Sequence, residues 1–439
     1  MSVISAPIAD DQSGTISPQA RTALWASLVG TTIEWYDFFL YATAASLVFN
    51  KAFFPDQSTF VGTLLSFATF AVGFLVRPIG GFVFGHVGDR IGRKKTLALT
   101  MLLMGVATAL MGTLPNAAQI GVLAPVLLLL LRIVQGFALG GEWAGAVLLA
   151  VEHGPPRRRG LFGSIPQVGL AIGLALGTGV FALLQVALPE DAFLRYGWRI
   201  AFLLSIVLVI FGVVVRLRAT ETPAFEKVRD SGDRAAVPLK EVFTPPALRS
   251  TVLGLLSRWG EGAAFNTWGV FAISYATTTL KLDKIPVLIC VTVAALLMAV
   301  LIPVSGLLTD RFGPKKLYAT GIAAYGVAVF PVFALFDTRN IWLYAAAMVV
   351  VFGIVHAWFY GAQGTLYASL FPARIRYTGL STVYQLSGVY ASGLTPLILT
   401  ALIGAAGGKP WLACGYLAVT AGIAVIATLF LKPTPLEDL

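Results

Sequence analysis

Twelve apolar runs follow one another along this 439-residue chain, separated by short polar breaks. They lie near residues 23–49, 60–84, 96–114, 121–150, 161–188, 198–216, 250–278, 286–308, 316–336, 340–369, 378–404 and 410–431. A helix needs about 20 apolar residues to cross the hydrocarbon of a bilayer, whereas a barrel strand needs about 10. The runs therefore predict an all-α membrane protein of twelve transmembrane helices. Composition agrees: 57% of the residues are hydrophobic and 12% charged, against about 25% charged in a soluble domain. A soluble enzyme is excluded on that ground, and the sequence offers no phosphate-binding glycine loop or nucleophile with an oriented base. The net charge of +10 does not point to nucleic acid, because Lys and Arg cluster in a few loops between the runs. Cys290 and Cys414 sit inside apolar runs with no ligand-spaced partner, so neither metal, cofactor nor disulfide is expected. Asp10 and Asp11 mark the first 20 residues as no cleavable signal, which leaves insertion to the first span.

Of the 31 Lys and Arg residues, 21 fall in loops on one side of the predicted bundle, seven on the other, and three within spans. The rule that cytoplasmic loops are the basic ones puts both termini in the cytoplasm and the chain in an inner (plasma) membrane. The longest polar stretch, 217–249, holds Pro223, Pro238, Pro245 and Pro246 at the middle of the chain. It divides a six-helix bundle at 23–216 from a second at 250–431, with tails at 1–22 and 432–439. An internal repeat supports the division. Gly85-His-Val-Gly-Asp89-Arg90-Ile-Gly92-Arg93-Lys94-Lys95 recurs 221 residues later as Gly306-Leu-Leu-Thr-Asp310-Arg311-Phe-Gly313-Pro314-Lys315-Lys316.

Charges inside the spans mark where function is expected, since an unpaired one at mid-bilayer costs about 2.5–3.5 kcal/mol on insertion scales. Helical spacing aligns Glu34, Asp37 and Tyr41 in span one, Arg132, Gln135, Leu139 and Glu142 in span four, Arg258, Glu261, Phe265 and Trp268 in span seven, and His356, Tyr360, Gln363 and Tyr367 in span ten. Repeated bundles imply a central cavity near the midplane, with these faces as its lining. The interior carboxylates Glu34, Asp37, Glu142 and Glu261 outnumber the arginines Arg77, Arg132 and Arg258 by one. Burial without a counter-ion favours the protonated form of a carboxylate, which is the chemistry of proton coupling. Asp37, the deepest, is the expected carrier, with Glu34 next. Guanidinium groups suit a planar carboxylate or phosphate. Arg77, Tyr41, Gln167, Arg258, Glu261, Trp268, His356, Tyr360, Gln363 and Gln385 are the candidate substrate contacts. Structural readings stand beside these: an intrahelical Arg258–Glu261 pair, Arg77 as a gate or snorkelling cation, His356 as a bonded interior residue, and Glu142 bonding across small residues.

The Asp-Arg motif after span two, its second copy and Arg132-Ile-Val-Gln135-Gly136 together resemble the major facilitator superfamily. Glu34-Trp35-Tyr36-Asp37-Phe38, Arg77-Pro78-Ile-Gly80 and Gly140-Gly141-Glu142-Trp143 resemble its metabolite:proton symporters. The resemblance runs from about residue 22 to 432. It implies two six-helix pseudo-repeats, alternating access, a monomer, and proton-coupled uptake of an organic acid such as shikimate or a related mono- or dicarboxylate. It also ties Arg132, with Glu142, to proton coupling. Gly85, Asp89, Arg90 and Arg93, with Asp310 and Arg311 in the second copy, become a latch between the halves, weaker at the second copy because Pro314 replaces an arginine. The alternatives are a proton-independent facilitator or exchanger and an osmolyte (betaine or proline) symporter. An osmosensing carrier is expected to bear an added cytoplasmic module, and eight residues follow the last span. A drug antiporter is disfavoured because span five carries no Gly-Pro step.

Overall fold

A computed structural model describes residues 18–91, 93–218 and 238–435. Among these, every regular element is helical, as a chain without water in reach of its backbone requires. The membrane-length helices are α1 Pro18–Leu47, α2 Thr59–Ile91, α3 Arg93–Thr113, α4 Leu123–Glu152, α5 Arg159–Ala187 and α6 Trp198–Arg218. After the short helix Pro238–Val242, α7 starts as Ala247–Asn266 and continues through π turns at Thr267–Phe271 and Tyr275–Thr279. Then follow α8 Lys284–Phe312, α9 Pro314–Asp337, α10 Ile341–Ala368, α11 Ile375–Ala405 and α12 Trp411–Phe430. Among the described residues, nine of them are long and apolar enough to cross a membrane; the rest are α1, α3 and α7. Helices α1 and α7 carry Glu34 with Asp37 and Arg258 with Glu261.

The ends lie close to the apolar runs, with one informative difference. Helices α2 and α8 run on to Ile91 and Phe312, so each Asp-Arg step expected in a loop belongs to a last helical turn. Gly313 then adopts a left-handed φ of 83°, a conformation glycine takes without steric cost. Pro314 opens α9 at a position where its missing N–H costs nothing. Asn340 caps α10, its side-chain oxygen accepting from the Trp342 and Leu343 amides at 2.9 and 3.4 Å.

Helix α5 packs against α1 and α8, α2 against α4 and α11, α3 against α6, and α12 against α7 and α9. The two sets of six helices thus meet along α5–α8 and α2–α11. Helix α1 is enclosed, buried without a break over residues 33–47. By contrast α6 turns Leu203, Val207, Ile210 and Phe211 outward, the face of a lipid-contacting helix. The α2–α4 crossing depends on glycine. A Cβ at Gly80 would fall on the Phe137 carbonyl, and one at Gly140 on the Gly81 amide and Arg77 carbonyl. Gly140→Val forces these backbones apart, so its cost is expected at or above the upper end of the roughly 1–3 kcal/mol of overpacking. A detergent melting curve checks this, and an unchanged midpoint would contradict the close crossing.

Candidate transport cavity

A small cavity lies where α1, α2, α5, α7 and α11 converge. Its walls are the rings of Trp35, Phe38, Phe74, Phe265 and Tyr384, the polar groups of Arg77, Arg258, Glu261, Asn266 and Ser392, and the small or apolar Gly388 and Leu170. Arg77 is buried. Its guanidinium sits 4.5 Å from the Phe38 ring centroid and 4.4 Å from that of Phe74, contacts that favour a cation while using none of its donors. Its Nε and Nη2 have no hydrogen-bond partner. Glu34 and Tyr384 shape the electrostatic field at that group. Arg258 projects from the opposite side. It lies 3.3 Å from the Glu261 carboxylate, donates to the Ser387 hydroxyl at 3.1 Å, and stacks 3.8 Å from the Tyr384 centroid. The intrahelical pair considered from sequence is therefore formed, and both partners face the cavity. Asn266 donates its amide to the Gly262 carbonyl at 2.9 Å, which leaves its buried side-chain oxygen without a donor.

A second layer closes behind Tyr384. Its ring stacks on Trp143 of α4 at 3.7 Å and 15°. The Trp143 indole donates to Gln167 at 2.9 Å, and Gln167 donates to the Tyr360 carbonyl at 3.3 Å. Gln385 donates to the Gly140 carbonyl at 2.7 Å and Tyr377 to that of Gly141 at 2.8 Å. Glu142 accepts from Thr100 of α3 at 2.5 Å. Helices α4 and α10 were expected among the walls. Their side chains instead stand one layer behind those of α2, α5 and α11.

Within the first six helices lies a separate polar core. Arg132 is fully buried, its guanidinium surrounded by Phe38, Tyr41 and Phe70 at 4.8, 4.2 and 5.0 Å. It donates to the Gln135 side chain and, at 3.3 Å, to the Phe70 carbonyl. Gln135 donates onward to Thr108 at 2.8 Å and to the Asp37 carbonyl at 3.5 Å. Tyr41 donates to Thr69 at 2.7 Å. The Asp37 carboxylate is completely buried, and neither oxygen accepts a hydrogen bond. Ser205 of α6 and Thr108 of α3 are its polar neighbours, and the Ser205 hydroxyl is also unbonded. Asp37 thus points away from the cavity that its neighbours Trp35 and Phe38 line.

The remaining candidates gather in the second six helices. His356 is buried among Phe265, Phe352, Phe359 and Tyr360, with ring centroids 4.6–5.5 Å away, and neither ring nitrogen is bonded. Trp268 packs on Tyr325, Phe333 and Phe336. The Tyr360 hydroxyl and both side-chain polar atoms of Gln363 are without hydrogen bonds. Sequence reasoning omitted Phe74, Leu170 and Ser392 from the lining and left Asn266 out of the principal candidates. The one usable signal was Asn266, an amide within an apolar run five residues beyond Glu261.

Contacts join the two sets of helices at both ends. The Asp310 carboxylate accepts from the Gly160 amide at 2.6 Å and the Leu161 amide at 3.1 Å, capping α5, where the helix dipole favours an anion. The second motif copy does engage, despite Pro314. Nearby, Arg376 meets Glu152 at 3.6 Å. Arg311 is exposed and lies over Phe312. The side chains of Gly85, Asp89, Arg90 and Arg93, the candidates of the first copy, lie outside the described residues. At the opposite end Lys284 meets Glu190 at 3.0 Å and Ser46 donates to the Val270 carbonyl at 3.3 Å. Asp310→Ala removes two charge-assisted bonds of about 1.5–3 kcal/mol each. Spin labels on the adjoining ends of α5 and α8 are expected to show a longer, broader distance distribution; an unchanged one would mean that the cap does not hold this end closed.

Comparison with known proteins follows the same division. Residues 22–250 match the family model described as sugar (and other) transporter, and residues 260–438 match that of the major facilitator superfamily. The inner membrane metabolite transport protein YhjE of Escherichia coli is 40% identical over 428 residues, covering 95% of both chains. The shikimate transporter of the same organism is 39% identical over 394 residues, covering 89% of this chain and 90% of its own. The proline/betaine transporter of Salmonella typhimurium is 35% identical, covering 94% and 84%. Among solved structures, the proton:xylose symporter XylE bound to 6-bromo-6-deoxy-D-glucose superposes with a TM-score of 0.76 at 16% identity, covering 97% and 99%. At that identity the likeness is one of fold.

Proposed function

The chain belongs to the major facilitator superfamily and is a transporter of metabolites, and from that premise we propose that it takes up a small organic anion together with protons, by alternating access. The observation carrying this reading is the pair of buried arginines, Arg77 and Arg258, that face one cavity from opposite sets of helices. Arg77 holds two N–H groups unused, the fork that a planar carboxylate fills. The surrounding rings suit a compact ring-bearing acid, and Asn266 and Ser392 suit its hydroxyls. Shikimate or a related mono- or dicarboxylate meets this description, and the likeness to a shikimate transporter supports it. Gln167, His356, Tyr360, Gln363 and Gln385 support the walls from behind, while Tyr41 belongs to the Arg132 core and Trp268 to the packing on α9.

Proton movement is assigned to Asp37, whose buried carboxylate lacks hydrogen bonds beside the Arg132–Gln135 network. Glu34 and Glu142 stand next to that path. The basic ends of the helices are taken as cytoplasmic, with both termini on that side, and the membrane as the inner membrane of the relatives. The Asp310 cap, and by the repeat the Asp89 motif, act as cytoplasmic latches, and the protein works as a monomer. A second reading, an osmolyte symporter, is favoured by the Arg258–Glu261 pair, which offers both charges to a zwitterion such as betaine.

Proteoliposomes test these readings. Labelled shikimate, oxoglutarate, citrate, benzoate and betaine are offered under an inward proton gradient, with and without a protonophore. Accumulation of one acid that collapses with the protonophore is expected. Accumulation of betaine alone would favour the osmolyte reading, and gradient-independent exchange would leave a facilitator.

A further inference from the structure

Both partners of a buried ion pair line the cavity, and neither is saturated. Arg258 and Glu261 side chains are 4% and 2% exposed and 3.3 Å apart. Arg258 Nε and Glu261 Oε2 take part in no hydrogen bond. The pair stands at i and i+3 of one helix, so it can open by side-chain rotation while α7 stays where it is. Gln363 of α10 is the polar neighbour of Glu261, and neither of its amide atoms is otherwise bonded, which leaves acceptor and donor ready for either form of the acid. Beyond Arg258, the titratable groups facing Glu261 are Tyr318 of α9, Tyr360 and Tyr367 of α10, and Tyr384 of α11. Arg77 of α2 shares the cavity. His356 is enclosed by its four rings. Glu34 of α1 is a second acid nearby, in the field of Arg77 and Tyr384.

An anion entering this cavity meets Arg258 already held by a carboxylate. Two negative groups sharing the Arg258 guanidinium, away from bulk water and with Arg77 on the other wall, are unfavourable unless one becomes neutral. We propose that the incoming carboxylate takes Arg258 from Glu261, and that Glu261 accepts a proton from the aqueous phase in the same step. The Arg258–Glu261 ion pair breaks, a salt bridge from Arg258 to the substrate forms, and an O–H bond forms on the Glu261 carboxylate. The negative charge brought by the substrate is balanced by the proton, so the charge of the cavity is unchanged. Substrate and proton thus bind cooperatively at one place, and reciprocally. This site is distinct from Asp37, which points into the first six helices, and it gives the transporter a second proton-binding carboxylate. The inference rests on the organic-anion reading above.

The test uses the whole protein in detergent, in weak buffer with a pH indicator, mixed with shikimate, oxoglutarate, citrate or benzoate, and calorimetry in parallel. Wild type is expected to take up about one proton per carboxylate bound at Arg258, with affinity falling up to about tenfold per pH unit on the alkaline side. Glu261→Gln is expected to bind the same acid with no proton uptake and a flat pH profile, and Glu261→Asp to restore both. Infrared difference spectra of wild type should show a protonated-carboxyl band on anion binding, a readout that needs no variant to fold. Binding without proton uptake or without that band, or uptake that persists in Glu261→Gln, overturns the proposal and leaves the organic-anion reading standing. If none of the four acids binds, that reading falls and this inference with it.

Discussion

Proteoliposomes carrying Asp37→Asn, with the membrane potential clamped at zero, are expected to concentrate substrate far less steeply while still exchanging it. Each proton moved with a monoanion adds about 100-fold accumulation under a pH difference of about two units, since each unit is worth about 1.4 kcal/mol. With the Asp37 proton lost and the Glu261 proton kept, the variant should come to rest about 100-fold below wild type. Asparagine keeps the volume and one acceptor but removes the charge, and the carboxylate it replaces is fully buried with both oxygens unbonded. The loss should therefore fall on coupling rather than on folding. Counterflow of label between loaded vesicles is the control, because it needs the cavity and the rocking motion but no gradient. Accumulation equal to wild type would remove Asp37 from the proton path. Loss of counterflow as well would show that its charge serves the conformational change itself.

The other large effect is expected at Arg77. Removing one member of a buried charge pair commonly costs about 2–5 kcal/mol, so Arg77→Ala should weaken binding of the acid by roughly 30- to several thousand-fold. Arg77→Lys should recover part of this. It keeps a cation against Phe38 and Phe74, but a point charge replaces the fork whose Nε and Nη2 are free to chelate a carboxylate. Binding by calorimetry separates the three proteins. A lysine variant as tight as wild type would mean that charge alone matters here. An alanine variant equal to wild type would leave Arg258 alone as the anion site. Arg77 is also close to the α2–α4 crossing, its carbonyl lying beside Gly140. Melting curves of both variants should accompany the binding data.

The helices and the charged residues within them were legible because hydropathy and the cost of burying charge act over a few residues at a time. Which way each side chain faces was legible only where the helix stays regular. In α7 the stripe of Arg258, Glu261 and Phe265 holds through the regular segment ending at Asn266. The π turn at Thr267–Phe271 then changes the register, and Trp268 turns to Tyr325 and Phe333 instead. In α4 a 3-10 turn at Leu139–Gly141 breaks the stripe from Arg132 to Glu142. Arg132 consequently serves the core beside α1 while Glu142 reaches Thr100 of α3. In α10 the π segment ends at His356, the stripe beyond it lies in the regular segment Ala357–Ala368, and there it does hold one face, His356 and Tyr360 meeting Phe265 and Tyr367 meeting Ser257 of α7. Helix α1 posed a different difficulty. It is buried all round, so no apolar face distinguishes Asp37, turned inward to its own bundle, from Trp35 and Phe38 at the cavity. The contribution of α2, α5 and α11 to the walls depends on how two bundles are set against each other, which local sequence does not encode.

The turn at Leu139–Gly141 has a consequence for how this protein can change over time. The acceptors that Gln385 and Tyr377 use to reach across from α11 are the carbonyls of Gly140 and Gly141, atoms that every amino acid possesses. Substitution along α4 can remove those bonds only by altering the path of the chain, and Gly140 is already confined by the crossing with α2. The acceptor half of this closing contact is therefore sheltered from ordinary side-chain drift. Variation is left to the donors on α11 and to the cavity walls, where a change of residue alters which molecule is carried and leaves the means of closing around it intact.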